Sequence, residues 1–301
     1  MWIQELSQQL VNGLALGAIY ALIAIGYTLI FGVLRLVFFA QGDLGMVAAF
    51  STLLSIRWLQ AQGLPTGLAV AMGVVTAAVV TVLVSLASER IALRPLRQAP
   101  RTKQLISTLG VMLVLQNTVF VAISSENLAF PVELGRSGWT PGGIVVSPVQ
   151  VLIPVIALLV MIGTYEVIER TPLGLKIRAI SDNPTAAARL GINRTSVARA
   201  TFALSGLIAT VAGLMMALYD GVVRFDMGFL PGIKGFTAAI LGGLGSIPGA
   251  ALGGVLIGII EAIGAGYISS EYRHVFVYLV LILVLLFRRN GLFRSTQLQP
   301  A

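Results

Sequence analysis

The sequence predicts an all-α, polytopic membrane protein: a transmembrane helix bundle of about eight spans, some of them broken or re-entrant. Of the 301 residues, 57% are hydrophobic and only 11% are charged, whereas soluble domains carry about a quarter charged residues. The mean hydropathy is +0.93. Glycine and proline interrupt several apolar runs, and a chain broken inside a bilayer must be buried in protein or line a cavity. This composition excludes an ordinary soluble domain.

The distribution of positive charge predicts the orientation in the membrane. Lys and Arg outnumber Asp and Glu by eight, an excess that their position relative to the membrane explains better than nucleic-acid binding does. Of the 20 Lys and Arg, 14 lie in the segments 89–103, 169–199 and 288–294. Because Lys and Arg concentrate in cytoplasmic loops, we expect these segments, and with them the C-terminus, to be cytoplasmic. The sequence has no cysteine, which excludes disulfides and thiol chemistry.

Five apolar runs follow one another in the first part of the chain. The predicted spans are 10–34, 44–59, 67–88, 104–124 and 149–168. The first is long enough to cross a hydrocarbon core of about 30 Å at about 1.5 Å per residue. Within it, Gly13, Gly17 and Ala21 recur every four residues, a spacing that lets a neighbouring helix approach closely.

A polar stretch separates the first two spans. It contains Arg35, Gln41, Gly42 and Asp43. Polar groups at membrane level are tolerated where they are buried in protein or face a cavity. Two interpretations remain open: a polar segment inside the bundle, or a short surface turn in which Asp43 caps the second span.

The segment 169–199 is the longest charged interruption of the chain. Asp182 and Asn183 suit a helix N-cap, Pro184 suits a first helical turn, and Gly191 suits the position after a helix end. These residues predict a short helix over 184–190. A helix of about two turns is marginal in water, so we expect it to dock against something, although a surface loop with a stray helical turn is the simpler alternative.

The sixth span, residues 200–221, carries a small residue at every fourth position. These residues are Ser205, Ala209, Gly213, Ala217 and Gly221. The stripe predicts a tightly packed helix in the bundle interior.

The following apolar segment, 235–266, is broken by Gly242, Gly243, Gly245 and Pro248, with Ser246 at the break. Either two short helices that dip into the membrane or two full spans with a tight turn would fit. In both cases a second small-residue stripe is expected to pack against a neighbouring helix. Its members are Ala250, Gly254, Gly258, Ala262 and Gly266.

Glu261 lies beside that stripe, and an intramembrane glutamate is either a functional residue or one that pairs or snorkels. The last span is predicted at 274–287. His274 is the only histidine, and it has neither cysteine nor clustered acids near it in the sequence. We therefore predict no metal site.

The sequence offers no constellation for catalysis. It lacks G-x-x-x-x-G-K-[ST], the loop that cradles nucleotide phosphates, and its serines have no partner histidine. A bundle with broken helices and one large cytoplasmic segment is typical of transporters, in which freed backbone groups line a pathway.

Four segments resemble a known family. They are NGLALGAIYALIAIGYTLIFGV at 12–33, LVFFAQGDLGMVAAF at 36–50, TPLGLKIRAISDNPTAAARLGINRTSVARATFALSGLIATVAGL at 171–214, and ILGGLGSIPGAALGG at 240–254. Together they resemble the LivH-type permease subunits of ATP-binding-cassette (ABC) importers for branched-chain amino acids. The resemblance covers nearly the whole chain and implies a single transmembrane permease domain over 1–301, with a cytoplasmic coupling loop at 169–199.

In this kind of importer, a short permease helix docks into a groove of an ATPase subunit. The resemblance assigns that coupling helix to Asp182, Asn183, Pro184, Thr185, Ala186, Ala187, Ala188, Arg189, Leu190 and Gly191. It also implies two ATPase subunits that bind ATP and Mg, an extracytoplasmic solute-binding protein, and a second permease subunit, either LivM-like or a second copy. The chain itself would be no enzyme, hold no cofactor and bind no nucleic acid, and it would contact the lipid of a bacterial cytoplasmic (inner) membrane.

The candidate pathway residues combine helix breaks with polar groups at membrane depth. They are Gln41, Gly42, Asp43, Gly242, Gly243, Gly245 and Ser246. A packing role without solute contact remains open for all of them. The family commonly has Asn-Phe-Ala-His/Gln-Gly-Glu where residues 38–43 read FFAQGD, and related permeases serve urea or short amides, which are the alternative solutes. An ion-coupled secondary transporter and a channel or scaffold subunit are the other classes considered.

Overall fold

The computed structural model describes residues 2–132, 139, 145–269 and 271–287. These residues form a helical bundle, which confirms the all-α prediction. The helices are α1 (Trp2–Leu34), α2 (Gln41–Ala61), α3 (Thr66–Ser88), α4 (Arg101–Ala122), α5 (Pro148–Arg170), α6 (Pro172–Asp182), α7 (Pro184–Arg189), α8 (Arg194–Asp220), α9 (Phe229–Gly242), α10 (Ile247–Tyr267) and α11 (Arg273–Phe287). Two short antiparallel strands, β1 (Leu128–Ala129) and β2 (Val222–Val223), join the loops before α5 and after α8.

The described residues contain seven helices that are long and apolar enough to cross a membrane: α1 to α5, α8 and α10. Helices α9 and α11 are apolar but shorter. With α11 counted, the bundle agrees with the prediction of about eight spans and some short helices. The predicted basic tail, 288–294, lies outside the described residues.

The segment predicted as a hairpin combines one short and one long helix, so neither predicted arrangement is correct. Helix α9 has 14 residues, about 21 Å, and is too short to cross a core of about 30 Å. Helix α10 has 21 residues and is long enough. The turn between them places Gly243 and Gly245 at φ +97° and +105°, conformations that glycine adopts without steric cost.

Helix α1 forms the centre of the bundle because its small residues admit the backbone of α10. A Cβ atom added to Gly258 would lie 2.2 Å from the backbone nitrogen of Gly17, and one added to Gly254 would lie 2.3 Å from that of Ala21. Helices α1, α2, α8 and α10 are mostly buried, whereas α3, α4 and α5 expose most of their surface. Such exposed apolar faces suit contact with lipid or with another subunit.

The stripe on α8 faces α2. A Cβ atom on Gly213 would lie 1.9 Å from the carbonyl oxygen of Gly45, so the two backbones are in direct contact. Ser205, Ala209 and Ala217 are also buried on this helix. Gly221 ends α8 in the left-handed conformation at φ +69°, as a glycine after a helix end commonly does.

Candidate functional site

The N-terminus of α7 is capped by Asn183. The side-chain oxygen of Asn183 accepts hydrogen bonds from the backbone N–H groups of Thr185 (3.1 Å) and Ala186 (3.0 Å). Pro184 occupies the first helical position, where its missing N–H costs nothing. Asp182 was also predicted as a cap, which is wrong, because it is the last residue of α6.

The C-terminus of α7 is closed by a Schellman motif. The N–H of Ile192 donates to the carbonyl of Ala187 and the N–H of Gly191 donates to that of Ala188, both at 3.0 Å, while Gly191 is left-handed at φ +79°. This pattern satisfies carbonyl groups that would otherwise lack partners. The short helix predicted from its caps is therefore confirmed, although α7 ends at Arg189.

One face of α7 packs on its own chain and the rest is exposed. Ala187 is only 2% exposed and belongs to the hydrophobic core. Leu190, the residue after the helix, is 79% exposed. The exposed set is Pro184, Thr185, Ala186, Ala188, Arg189 and Leu190. The surface that remains free to dock a partner therefore includes Leu190 and excludes Ala187.

Helix α6 was not predicted; the segment was expected to be a loop with a single short helix. Its start is set by Thr171, whose hydroxyl accepts a hydrogen bond from the Gly174 N–H (3.2 Å), and by Pro172 in the first turn. A Cβ on Gly174 would lie 2.0 Å from the carbonyl oxygen of Ile168, so α6 turns back tightly on the end of α5. The Thr-Pro pair at 171–172 is the sequence signal that could have revealed this helix.

The connection from α1 to α2 runs inside the bundle, so the surface-turn interpretation is wrong. Leu36, Phe38 and Ala40 are buried. The Phe38 ring packs edge-on against Phe202 of α8, with the ring centres 5.3 Å apart. Arg35, at the end of α1, has a left-handed backbone with φ +56°, which is uncommon for a residue other than glycine.

Gln41 begins α2 deep in the bundle. Its Oε1 accepts a hydrogen bond from the Ser205 hydroxyl at 2.8 Å, and its side chain lies against Gly26, where an added Cβ would lie 2.1 Å from the Gln41 Nε2. Gly26 is eight residues before the end of α1, a rise of about 12 Å. The chain therefore returns from the end of α1 toward the membrane interior before α2 starts.

Asp43 is a buried carboxylate with one satisfied oxygen. Gln116 of α4 donates to its Oδ1 at 2.8 Å, whereas its Oδ2 has no hydrogen-bond partner among the described residues. Gly42, beside it, contacts the start of α9, since an added Cβ would lie 2.1 Å from the Gly228 carbonyl oxygen. Helix α4 thus contacts the carboxylate directly, and the start of α9 packs on the residue beside it.

The second set of candidate pathway residues lies at the other end of α9. Gly242 packs against α10, where an added Cβ would lie 1.9 Å from the Gly249 carbonyl oxygen. Gly243 and Gly245 form the turn, and Ser246 caps α10 by accepting a hydrogen bond from the Gly249 N–H (3.2 Å). Since α9 begins beside Gly42 and has 14 residues, the two sets are about 20 Å apart.

Glu261 belongs to a buried ionic cluster that joins four helices. Its Oε1 accepts hydrogen bonds from Lys234 Nζ (2.7 Å) and Arg273 Nε (2.9 Å), and its Oε2 accepts one from the Tyr20 hydroxyl (2.9 Å). The pairing interpretation of Glu261 therefore fits the structure. The sequence did not reveal this cluster, because the predicted apolar segment begins at residue 235, whereas α9 begins earlier and includes Lys234.

Residues 9–285 match the family described as "Branched-chain amino acid transport system / permease component". The chain belongs to this family. The permease is 40% identical to the high-affinity branched-chain amino acid transport system permease protein BraD of Pseudomonas aeruginosa, over 95% of this chain and 94% of BraD. It is 37% identical to LivH, the corresponding permease protein of Escherichia coli K12, again over 95% of this chain and 94% of the relative.

Among solved structures, PsaBC from Streptococcus pneumoniae in complex with Fab aligns with 91% of the permease and 88% of its own chain. The TM-score is 0.46 at 12% sequence identity. The family membership therefore rests on the sequence relatives.

A groove of about 560 Å³ lies between α1, α5 and α10 of the permease. Its lining is Leu14, Ala18, Ala21, Ile25, Pro154, Ala157, Leu158, Met161, Pro248, Ala251, Leu252 and Val255. All of these side chains are apolar, so the groove offers no partner to the charged ends of an amino acid. It is therefore not a suitable amino-acid site.

Proposed function

We propose that this permease translocates branched-chain amino acids across the bacterial cytoplasmic membrane as a subunit of an ABC importer. The observation that carries the proposal is α7, a capped and exposed helix on a chain related to BraD and LivH. ATPase subunits in trans would bind ATP and Mg and contact α7. A second permease, LivM-like or a copy of this chain, and an extracytoplasmic binding protein would complete the importer.

The positions of the two basic loops support a cytoplasmic location for one end of the bundle. Arg97, in the loop before α4, donates through Nη1 to the Thr195 hydroxyl at 2.8 Å, at the start of α8. The loop that carries Arg97 and the segment that carries α7 are therefore at the same end of the bundle. Since both are rich in Lys and Arg, the positive-inside rule assigns that end to the cytoplasm. By the same rule the basic C-terminal tail is cytoplasmic.

Transport would proceed by alternating access. Nucleotide-driven closure of the ATPases would displace α7, and a capped helix transmits such a displacement better than a flexible segment does. Helix α8 follows α7 directly and contacts Gln41 through Ser205. Gln41 and Asp43, polar groups deep in the bundle, would line the pathway, while the glycine turn before α10 would let that hairpin move.

The first experiment is co-purification of the ATPase with the permease from native membranes. Leu190→Asp places a charge on the exposed α7 surface, where burial against a partner is costly. We expect this variant to lose the ATPase. Leu175→Asp is the matched control, because Leu175 is also exposed (63%) but lies on α6, and it should retain the ATPase. Equal retention by both variants would refute α7 as the docking helix.

The transported solute is tested separately in vesicles that contain the purified importer. We expect ATP-dependent uptake of leucine, isoleucine and valine, and little uptake of urea or acetamide. Uptake that persists without ATP and follows an ion gradient would support a secondary transporter instead. Preferential uptake of urea would move the assignment to the related amide importers.

A further inference from the structure

We propose that Arg35 is a positioning residue that transmits displacement of α7 to the start of α2, and so couples the ATPases to the pathway. This inference rests on the proposed function, because it assumes that α7 contacts an ATPase. It adds a specific mechanical connection between α7 and the residues Gln41 and Asp43. The connection follows from three features of the described residues: a contact, a constrained segment and a turn.

The contact joins segments that are 146 residues apart in sequence. The Arg35 guanidinium donates a hydrogen bond from Nη2 to the carbonyl oxygen of Ser181. Ser181 is the penultimate residue of α6, and Asn183, the cap of α7, follows two residues later. Carbonyl groups at a helix C-terminus lack helical partners and favour a cation. Arg35 therefore binds the end of α6 to which α7 is attached.

The α6–α7 unit is held by a cap at the start of each helix and by buried residues, so a displacement of α7 moves the whole unit. Thr171 caps α6 and Asn183 caps α7, each by accepting backbone hydrogen bonds. Ile177 and Ile180 of α6 and Ala187 of α7 are buried in the same hydrophobic core. A force on the exposed side of α7 is therefore carried to Ser181.

On the other side of the contact, a short buried connection leads from Arg35 to the pathway residues. Only five residues separate Arg35 from Gln41, and the Gln41 N–H donates to the Phe38 carbonyl at 3.1 Å. Phe38 is fully buried against Phe202. Because protein interiors are close-packed, movement of Arg35 shifts this connection as a unit and moves the start of α2.

Other arginines near this end of the bundle form contacts of a different kind. Arg178 pairs with Glu169, and Arg97 pairs with Glu89. Each of these ion pairs joins residues close in sequence, and the additional long-range hydrogen bond of Arg97 goes to a side-chain hydroxyl, that of Thr195. Arg35 instead combines a long-range contact to a main-chain carbonyl with a left-handed backbone at the exact point where the chain turns back into the bundle. That combination suits a mechanical connection better than a surface charge.

The test uses the complete importer in lipid vesicles, with leucine uptake and ATP hydrolysis measured in parallel. Arg35→Gly removes the guanidinium but permits the left-handed backbone. We expect leucine transported per ATP to fall at least fivefold while ATPase co-purification is unchanged. If the same contact carries the signal from the loaded binding protein to the ATPase, stimulation of ATP hydrolysis by that protein should also fall, with basal hydrolysis within twofold of wild type.

Arg178→Gln is the matched control. It removes a guanidinium from α6 that pairs with Glu169, and it should leave leucine transported per ATP within twofold of wild type. A merely structural role of Arg35 would instead lower assembly and basal hydrolysis together. The ratio of leucine uptake to ATP hydrolysis therefore distinguishes a role of Arg35 in transmitting displacement from a role in the stability of the complex.

A double substitution tests whether a covalent link can restore coupling after the Arg35–Ser181 contact has been removed. The sequence contains no cysteine, so Arg35→Cys with Ser181→Cys can be bridged by a short bis-methanethiosulfonate when the other subunits are free of accessible thiols. We expect poor coupling in the reduced state and recovery after bridging.

Unchanged coupling in Arg35→Gly, loss of assembly in that variant, or failure of the bridge to restore coupling would overturn the proposal. A wild-type complex without ATP-dependent uptake would instead refute the proposed function, before any variant is compared.

Discussion

At the scale of single residues, Glu261 illustrates how a charge is accommodated inside an apolar bundle. The Lys234 ammonium, the Arg273 guanidinium and the Tyr20 hydroxyl satisfy both carboxylate oxygens. Glu261 is fully buried and Lys234 nearly so. Removing one member of such a group leaves an unpaired charge, which is strongly destabilising.

We predict that Glu261→Ala lowers stability by about 3 kcal/mol or more, because Lys234 would remain buried without its counter-ion. The measurement is the thermal unfolding midpoint of the purified protein in detergent. Glu166→Ala is the matched control: its partner Arg170 is exposed, and the change should be below about 1 kcal/mol. Similar losses in both variants would contradict a structural role for the buried cluster.

Residue type alone predicted some of the polar residues that lie inside the bundle. The polar residues Gln41 and Asp43 were recognisable because they interrupt an apolar pattern, and Glu261 was recognisable for the same reason. Their partners were not, since Gln116 and Lys234 are distant in sequence and pairing depends on how the helices cross. A single charge within a glycine-rich apolar helix, as Lys234 is, was the signal that a buried counter-ion was required.

At the scale of elements, the two asparagine caps of the cytoplasmic segment differ in importance. Asn183 and Asn193 each accept two backbone N–H groups, at the starts of α7 and α8. Helix α7 has six residues and α8 has 27. A short helix depends on its cap, whereas a long, packed helix is stabilised mainly by tertiary contacts.

We therefore predict that Asn183→Ala, which removes about 1 kcal/mol of capping free energy, accelerates amide hydrogen exchange in α7 about fivefold. ATPase co-purification should decrease with it. Asn193→Ala removes the same kind of cap from α8 and should leave exchange within the core of that helix unchanged. Equal effects in the two helices would mean that α7 is held by tertiary packing rather than by its cap.

The α8–α2 contact allows a second prediction at this scale. Gly213→Leu would force apart two backbones in direct contact, because its Cβ alone would lie 1.9 Å from the Gly45 carbonyl oxygen. Overpacking of this kind costs about 1–3 kcal/mol, and we expect reduced leucine uptake in vesicles. Gly163→Leu on α5, where nothing lies within 4 Å of an added Cβ, should transport normally. Unchanged assembly and transport in Gly213→Leu would remove any role for this contact in the transport cycle.

Elements were predictable where local signals were strong. The caps of α7 and the small-residue periodicity of α8 and α10 are local properties of the sequence. The start of α9 at Phe229 was missed, because Gly228 and Gly232 look like loop residues, whereas Gly228 is required where the start of α9 meets Gly42. A close helix crossing and a loop are thus both rich in glycine, and only the helix that packs against the segment distinguishes the two.

At the scale of the whole molecule, contacts between loops show which helix ends lie together. The Arg97–Thr195 contact joins the two basic loops, while the β1–β2 pair joins the loops at the opposite ends of α4 and α8. The bundle therefore has one basic end and one end with few positive charges. Composition predicted a membrane protein, and these contacts define its two faces.

The orientation of these two faces is open to direct measurement because the chain has no cysteine. Thr185→Cys places a thiol on exposed α7, and Gln62→Cys places one in the exposed turn between α2 and α3. In intact cells with a permeable outer envelope, a membrane-impermeant maleimide should label the cysteine at 62 and not the one at 185, since Lys and Arg favour the cytoplasmic side. Both should react after the cytoplasmic membrane is opened. Labelling of position 185 alone in intact cells would invert the topology and place α7 out of reach of any cytoplasmic ATPase.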